Sequence, residues 1–287
     1  MYSQNQLFFF ARGPDRTGGG GIGVQDGAAL AATGCTVQGN TGMGVFASNA
    51  GTTVHLVDTE VLSTRTGAIT GFAGSVHAQE DAFLRASGGE ISGTAGPGLY
   101  VVAGGRTQFD RVRLIGNRFA GAVVLDGSAV LSAVTITDTL ADAEWGGGFG
   151  ASASDLGGPS SLTLTDSTIG PHRHAAIWLD VVGAYDIQGN SLSGSEGILL
   201  SSRPAHGNAV FAENEVTAWD RTAGLLLARN TFTDAALIAV LLHHPSASLE
   251  GNTWANNTVD VRQQHGSSDG TLLAKDDLAD VQLAERE

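Results

Sequence analysis

The chain is poor in most of the features from which a function is usually read. Its 287 residues include one cysteine, Cys35, so neither an intramolecular disulfide nor a cysteine-built zinc site can form. No basic neighbour activates the thiol, and Cys35 is expected to be a small buried filler. Charged residues make up only 15%, and acids outnumber bases 29 to 15, for a formal net charge of −14. That balance argues against nucleic acid as a partner, because binding phosphate needs a basic footprint. It would also repel anionic lipid and polyanionic sugars unless a metal ion intervened. Apolar residues arrive in short runs, so no membrane span is expected. The apolar patch at 7–10 has no basic leader and no small-residue cleavage site, so no signal peptide is read there.

Glycine is abundant, at 41 residues, and hydrophobic residues reach 42%. The second figure excludes general disorder, and the lack of a strict three-residue glycine period excludes collagen. A longer period is present. Gly/Ala-hydrophobic pairs recur at Gly23-Val24, Gly44-Val45, Ala68-Ile69, Gly98-Leu99, Ala122-Val123, Gly148-Phe149, Ala176-Ile177 and Gly197-Ile198, at intervals of 21 to 30 residues. That length and its variability fit one coil of a β-solenoid, whereas the leucine and asparagine consensus of leucine-rich repeats is missing. A second register runs through the asparagines. Apolar residues five apart bracket Asn190, Asn214, Asn230 and Asn252, while Asn40 and Asn117 occupy a later turn. Asparagine tolerates the left-handed backbone of a tight corner, and its amide can bond to the same position in the next coil.

The clearest copy of the repeat is 161–192. Within it Ile177, Leu179 and Val181 are expected to face inward, and Trp178, Asp180 and Val182 outward. Roughly ten coils stacked at about 4.8 Å would make a rod about 45 Å long, each coil stable only through its neighbours. The expected division is a lead-in at 1–19, a β-helix at 20–262, and a linker with a short C-terminal tail or helix at 263–287. The tail would cover the last sheet edge through Leu278, Val281 and Leu283 or Ala284. Repeats begin almost at once without an evident capping segment, which points to a longer parent protein or an upstream domain. The rhythm breaks at 140–160, around a strand at 149–153, and again at 201–223.

These features together resemble a right-handed parallel β-helix of the pectin-lyase-like superfamily, especially its NosD-like and generic right-handed β-helix repeats. The carriers are the Gly-hydrophobic starts, the units Asn190-Ser-Leu192 and Asn214-Glu-Val216, and the final Gly251-Asn-Thr-Trp-Ala-Asn-Asn-Thr-Val-Asp260. The likeness covers about 20–261. It implies an all-β fold but no activity. Handedness follows from the resemblance and from fold statistics rather than from spacing. Members that act on acidic polysaccharides use a groove along the first sheet and its flanking loops.

The outward positions of that sheet are expected to form two columns. One reads Phe46, Thr70, Tyr100, Val124, Gly150, Trp178 and Leu199, and the next Ser48, Phe72, Val102, Asp126, Ser152, Asp180 and Ser201. Phe46, Phe72, Tyr100 and Trp178 would offer sugar-stacking faces. Asp126 and Asp180 would share a register about 9–10 Å apart, a separation that suits an inverting glycosidase pair or a weak contribution to Ca²⁺ binding. The loop at 170–174 would bring His172, Arg173 and His174 to the same rim, and the insertion would add Asp142, Glu144 and Trp145. Arg173 could hold a carboxylate sugar and His174 act as a base. The catalytic candidates are thus Asp126, Asp180 and His174. The binding candidates are Tyr100, Trp145, His172, Arg173 and Trp178, and no metal site is assigned.

Known catalytic patterns of the resembled superfamily are missing. The chain has no Asp-Pro-His-Asp, no Asn-Thr-Asp and Gly-His-Gly set, and no counterpart of a calcium-binding aspartate cluster with its arginine. The expected function is therefore a monomeric structural or carbohydrate-binding solenoid, extracellular or on the cell surface, without a cofactor unless Ca²⁺ takes part. Its partner would be a polysaccharide or another component of the cell envelope. The alternative is a polysaccharide lyase, glycoside hydrolase or uronate epimerase working in the same groove.

Overall fold

Each repeat supplies three short strands, and the sequence dictates where each one ends. In the second coil they are Met43–Ser48, Thr53–Val57 and Glu60–Leu62, separated by Asn49 and Asp58 with positive φ. In a computed structural model of the chain these strands stack coil upon coil into three sheets. The structure describes residues 6–9, 21–67, 73–141, 147–154, 158–173, 175–180, 183–194, 214–218, 224–235, 238–243, 247–257 and 259–264. Sheet 1 has eleven strands, and sheets 2 and 3 have nine each. All pairings are parallel except at the N-terminal edge, where Gln6–Phe9 runs antiparallel to Ile22–Gln25. The fold is a parallel β-solenoid. Among the described residues no helix is long and apolar enough to cross a membrane.

The core is a stack of aliphatic side chains from all three sheets. Val45, Ala47, Val54, Leu56 and Val61 of one coil lie directly below Val76, Ala78, Leu84, Ala86 and Ile91 of the next, all of them buried. Ile177 and Leu179 face inward as their alternation requires. The asparagine ladder forms at the corner between sheets 2 and 3. The Asn190 amide N–H donates to Asn230 Oδ1 at 3.0 Å, and that of Asn230 to Asn252 Oδ1 at 2.9 Å. Their Nδ2 groups donate to the carbonyls of Leu164, Ile187 and Leu227 one coil below. Asn117 does the same at the corner after sheet 3, accepting from Thr94 N and donating to the Ile91 carbonyl.

The Gly-hydrophobic starts have a packing cause. A Cβ on Gly121 would fall 2.2 Å from Ile136 Cγ2 and 2.7 Å from the Gly150 carbonyl. On Gly150 it would fall 2.3 Å from Ile169 Cγ2. Glycine stands where the last inward residue of sheet 3 crowds the entry to sheet 1.

Several expectations need correction. The third coil enters sheet 1 at Gly74–Gln79, not at Ala68-Ile69, and 68–72 lie outside the described residues. The fifth and sixth coils begin one residue earlier and two later than expected, at Gly121-Ala122 and Gly150-Ala151, with Ala122 and Ala151 inward. In runs of small and aliphatic residues either parity fits the core, so the pattern leaves the register open. Asn214 is not a corner residue, because it pairs with Ile238 inside sheet 1. Cys35 is exposed rather than buried, and it follows the strand that ends sheet 2 among the described residues. Gln6–Phe9 covers the N-terminal edge of sheet 1, where no capping segment was expected. The last strand, Val259–Gln264, passes the expected boundary at 262, and the expected tail lies outside the described residues.

Candidate functional site

Register alone assembles the most distinctive face of the rod. On the outside of sheet 1 successive coils place Phe46, His77, Tyr100, Val123, Ser152 and Trp178 in one column. The His77 ring meets its two neighbours edge to face, 5.3 Å from Phe46 and 5.0 Å from Tyr100 between centroids. Higher up, Trp178 packs on Phe149 at 4.3 Å, and Phe149 on Phe119 at 6.1 Å. Ala120, Val123, Phe149 and Ala175 form a second, outer hydrophobic cluster, against which Tyr100, Phe119, Leu125 and Trp178 lie half-buried. His77 escaped the sequence reading because the coil was entered too early. The alternation Ser75-Val76-His77-Ala78 after Gly74 is the signal that could have found it.

Polar groups gather at one edge of this column. Ser48 Oγ donates to Glu80 Oε2 at 2.6 Å, and Gln79 Nε2 donates to Ser48 Oγ at 3.3 Å. His77 is itself buried. Burial pushes its pKa down to about 4, and the opposing pull of the Gln79 hydrogen bond and the Glu80 charge is smaller. At neutral pH the column therefore holds an uncharged imidazole between two aromatic rings. Burial also raises the Tyr100 pKa, which keeps its phenol protonated. The chemistry collected here is stacking and hydrogen bonding.

The sequence candidates fare unevenly. Tyr100 and Trp178 share the column, as expected. Asp126 does not share a register with Asp180. Asp180 is level with Ser154, and Ser154 with Leu125. Asp126 is one residue further on, at the corner, with φ of 51°. Its Oδ1 accepts from Gly158 N at 2.9 Å, and its own N–H donates to Ser160 Oγ at 2.9 Å, so the turn itself occupies this carboxylate. His172 pairs with Thr139 at the corner after sheet 3 and is only 3% exposed, which removes it from the rim. Arg173 is half-buried, and its backbone N–H donates to the Gly148 carbonyl. His174, Trp145, Asp142 and Glu144 lie outside the described residues, as does the side chain of Asp180. Among the described residues no group of three or more His, Cys, Asp or Glu could hold a metal ion.

Compared with protein-family models, curated proteins and solved structures, the chain matches none.

Proposed function

We propose that this chain is a non-catalytic, extracellular or cell-surface β-solenoid of the pectin-lyase-like type that binds glycan rings along the outer face of sheet 1. The observation that carries the proposal is the half-exposed column of Phe46, Tyr100 and Trp178, with His77 between the first two, fixed on a rigid parallel sheet. Aromatic rings two and three coils apart along one face suit the polarised C–H faces of sugar rings along a chain, and a rigid sheet avoids the entropy cost of ordering a loop. Asp126, the best candidate acid, is committed to its turn, which lowers the case for hydrolysis.

The test is affinity electrophoresis against a panel of neutral and acidic polysaccharides, with reducing-end and unsaturated-product assays on the same panel. Binding weakened at least tenfold by Tyr100→Ala, with Trp178→Phe intermediate, is the expected result. Turnover abolished by Asp180→Ala and by His174→Ala would establish the enzyme instead.

A further inference from the structure

Sheet 3 changes character halfway up the rod. Its lower coils carry charge on the outer face, where Glu60, Glu90 and Arg113 stand in one column and Arg113 is bonded to Glu90 at 2.8 Å. From the fifth coil upward the same column reads Thr135, Thr168, Ser191, Thr231 and Thr253. Two residues further along each strand a second column holds Thr137, Ser193, Thr233 and Ala255. Gly170 lies beneath Ser193 in it, so close that a Cβ on the glycine would meet the serine carbonyl. Thr168, Ser191, Thr231 and Thr253 are exposed, and Thr135, Thr137, Ser193 and Thr233 are half-buried. Neither column carries a charged side chain over these five coils. Asp138, Asp166, Arg229 and Asp234 flank them in the corners, all at positive φ.

The array is held in place from within. The Thr253 hydroxyl donates to Thr231 Oγ1 at 2.9 Å, and behind them Phe232 and Trp254 stack with ring planes 11° apart. Such side-chain ladders keep neighbouring strands flat and in step. Threonine is stiff at χ1, so its hydroxyl and methyl are positioned before anything binds. The hydroxyls repeat about every 4.8 Å along the rod and about 7 Å between the columns, over roughly 19 Å of length. Those two spacings lie close to the oxygen repeats along the a and c axes of hexagonal ice. A charged side chain would impose its own hydration shell on such a face, whereas neutral hydroxyls exchange one water partner for another at little cost.

We propose that the upper half of sheet 3 binds ice, with the hydroxyls of both columns joining the oxygen lattice of a crystal face and the threonine methyls filling the gaps between them. Each contact is weak, so the array works only because register repeats it rigidly over several coils. A polysaccharide is the less suitable occupant, because neither column offers a sugar ring an aromatic face. The face is on a different sheet from the aromatic column and stands or falls without it.

The full chain is assayed for thermal hysteresis and for the shaping of single ice crystals, and should show both. Thr168→Lys/Thr231→Lys puts two cations into the array and should lower hysteresis at least fivefold. Thr36→Lys/Gln38→Lys adds the same charge to the first coil of the same sheet and should leave hysteresis unchanged. All four positions are exposed, so matching thermal midpoints will show the variants folded. Ser191→Thr supplies the methyl missing from the first column and should raise hysteresis about twofold, a gain that misfolding cannot mimic. No hysteresis or crystal shaping by the wild type, undiminished activity in the array variant, equal loss in the control, or no gain with Ser191→Thr would each overturn the assignment. So would retention on crystalline cellulose or chitin through the same threonines without activity on ice. Tyr100→Ala should weaken glycan binding and leave hysteresis untouched, so the two proposals fail separately.

Discussion

Asn230 shows at single-residue scale how the rod is held at its corners. Its Oδ1 accepts from both Asn190 N and Asn190 Nδ2 at 3.0 Å, and its Nδ2 donates to the Ile187 carbonyl at 2.8 Å, all of it buried. Asn230→Ala would strand those groups without water and should cost about 3 kcal/mol in denaturant unfolding, more than an average single hydrogen bond. His77 makes a prediction of opposite character, in which the ionised form is the problem. Its folded pKa of about 4 lies below the unfolded value of 6.5. The unfolded chain therefore binds more protons between those values, and stability rises with pH across that window. The contribution is complete above about pH 6.5 and lost as pH falls towards 4. At about 1.4 kcal/mol per unit it amounts to a few kcal/mol. Thermal midpoints from pH 4 to 7 should climb more steeply for the wild type than for His77→Phe, which keeps the ring contacts with Phe46 and Tyr100. Equal slopes would show that His77 does not contribute.

At the scale of the strand, register decides what the sequence pattern leaves open. In Ala120–Leu125 the residues Ala-Gly-Ala-Val-Val-Leu can present either parity to the core, and Asp126 changes from groove acid to turn former on a one-residue slip. The column of glycines removes the ambiguity, because only glycine fits at Gly121, where Ile136 at the end of the coil meets the start of that coil's own sheet 1 strand. Gly121→Ala should therefore destabilise by about 1–3 kcal/mol through overpacking. Gly39→Ala, at a corner with φ of 69° and nothing within 4 Å of its Cβ, should cost only the left-handed backbone penalty of about 1–2 kcal/mol. Chemical denaturation of the pair separates crowding from conformation. Core-facing apolar positions, the corner asparagines Asn190, Asn230 and Asn252, and the half-buried Tyr100 and Trp178 were legible because each has a one-dimensional signature. His77 was not, since its place depends on how much chain the preceding corner consumes.

For the whole molecule, identical coil geometry means that a repeat can be removed if register is kept. Val101 is level with Val124, so excising 101–123 joins Tyr100 to Val124 in the same path. The shortened chain should keep a β-rich circular dichroism spectrum and unfold cooperatively, because each coil contacts mainly its neighbours. Excising 101–122 instead would turn every following inward residue of that strand outward, and should yield aggregated or unfolded protein. Comparable folding of both deletions would contradict the ladder of core residues.

The sequence by itself determined the period and the residue classes at core and corner, because stacking imposes those locally and repeatedly. It also determined the scarcity of bases that argues against a nucleic-acid partner. Only the tertiary structure decided which coils align. That alignment placed His77 between Phe46 and Tyr100, spent Asp126 on a turn, buried His172 and set Thr231 over Ser191. His77 lies 31 residues after Phe46 and 23 before Tyr100, and Thr231 lies 40 after Ser191, so these neighbours meet only through register. Register is set by the lengths of corners that no local pattern encodes.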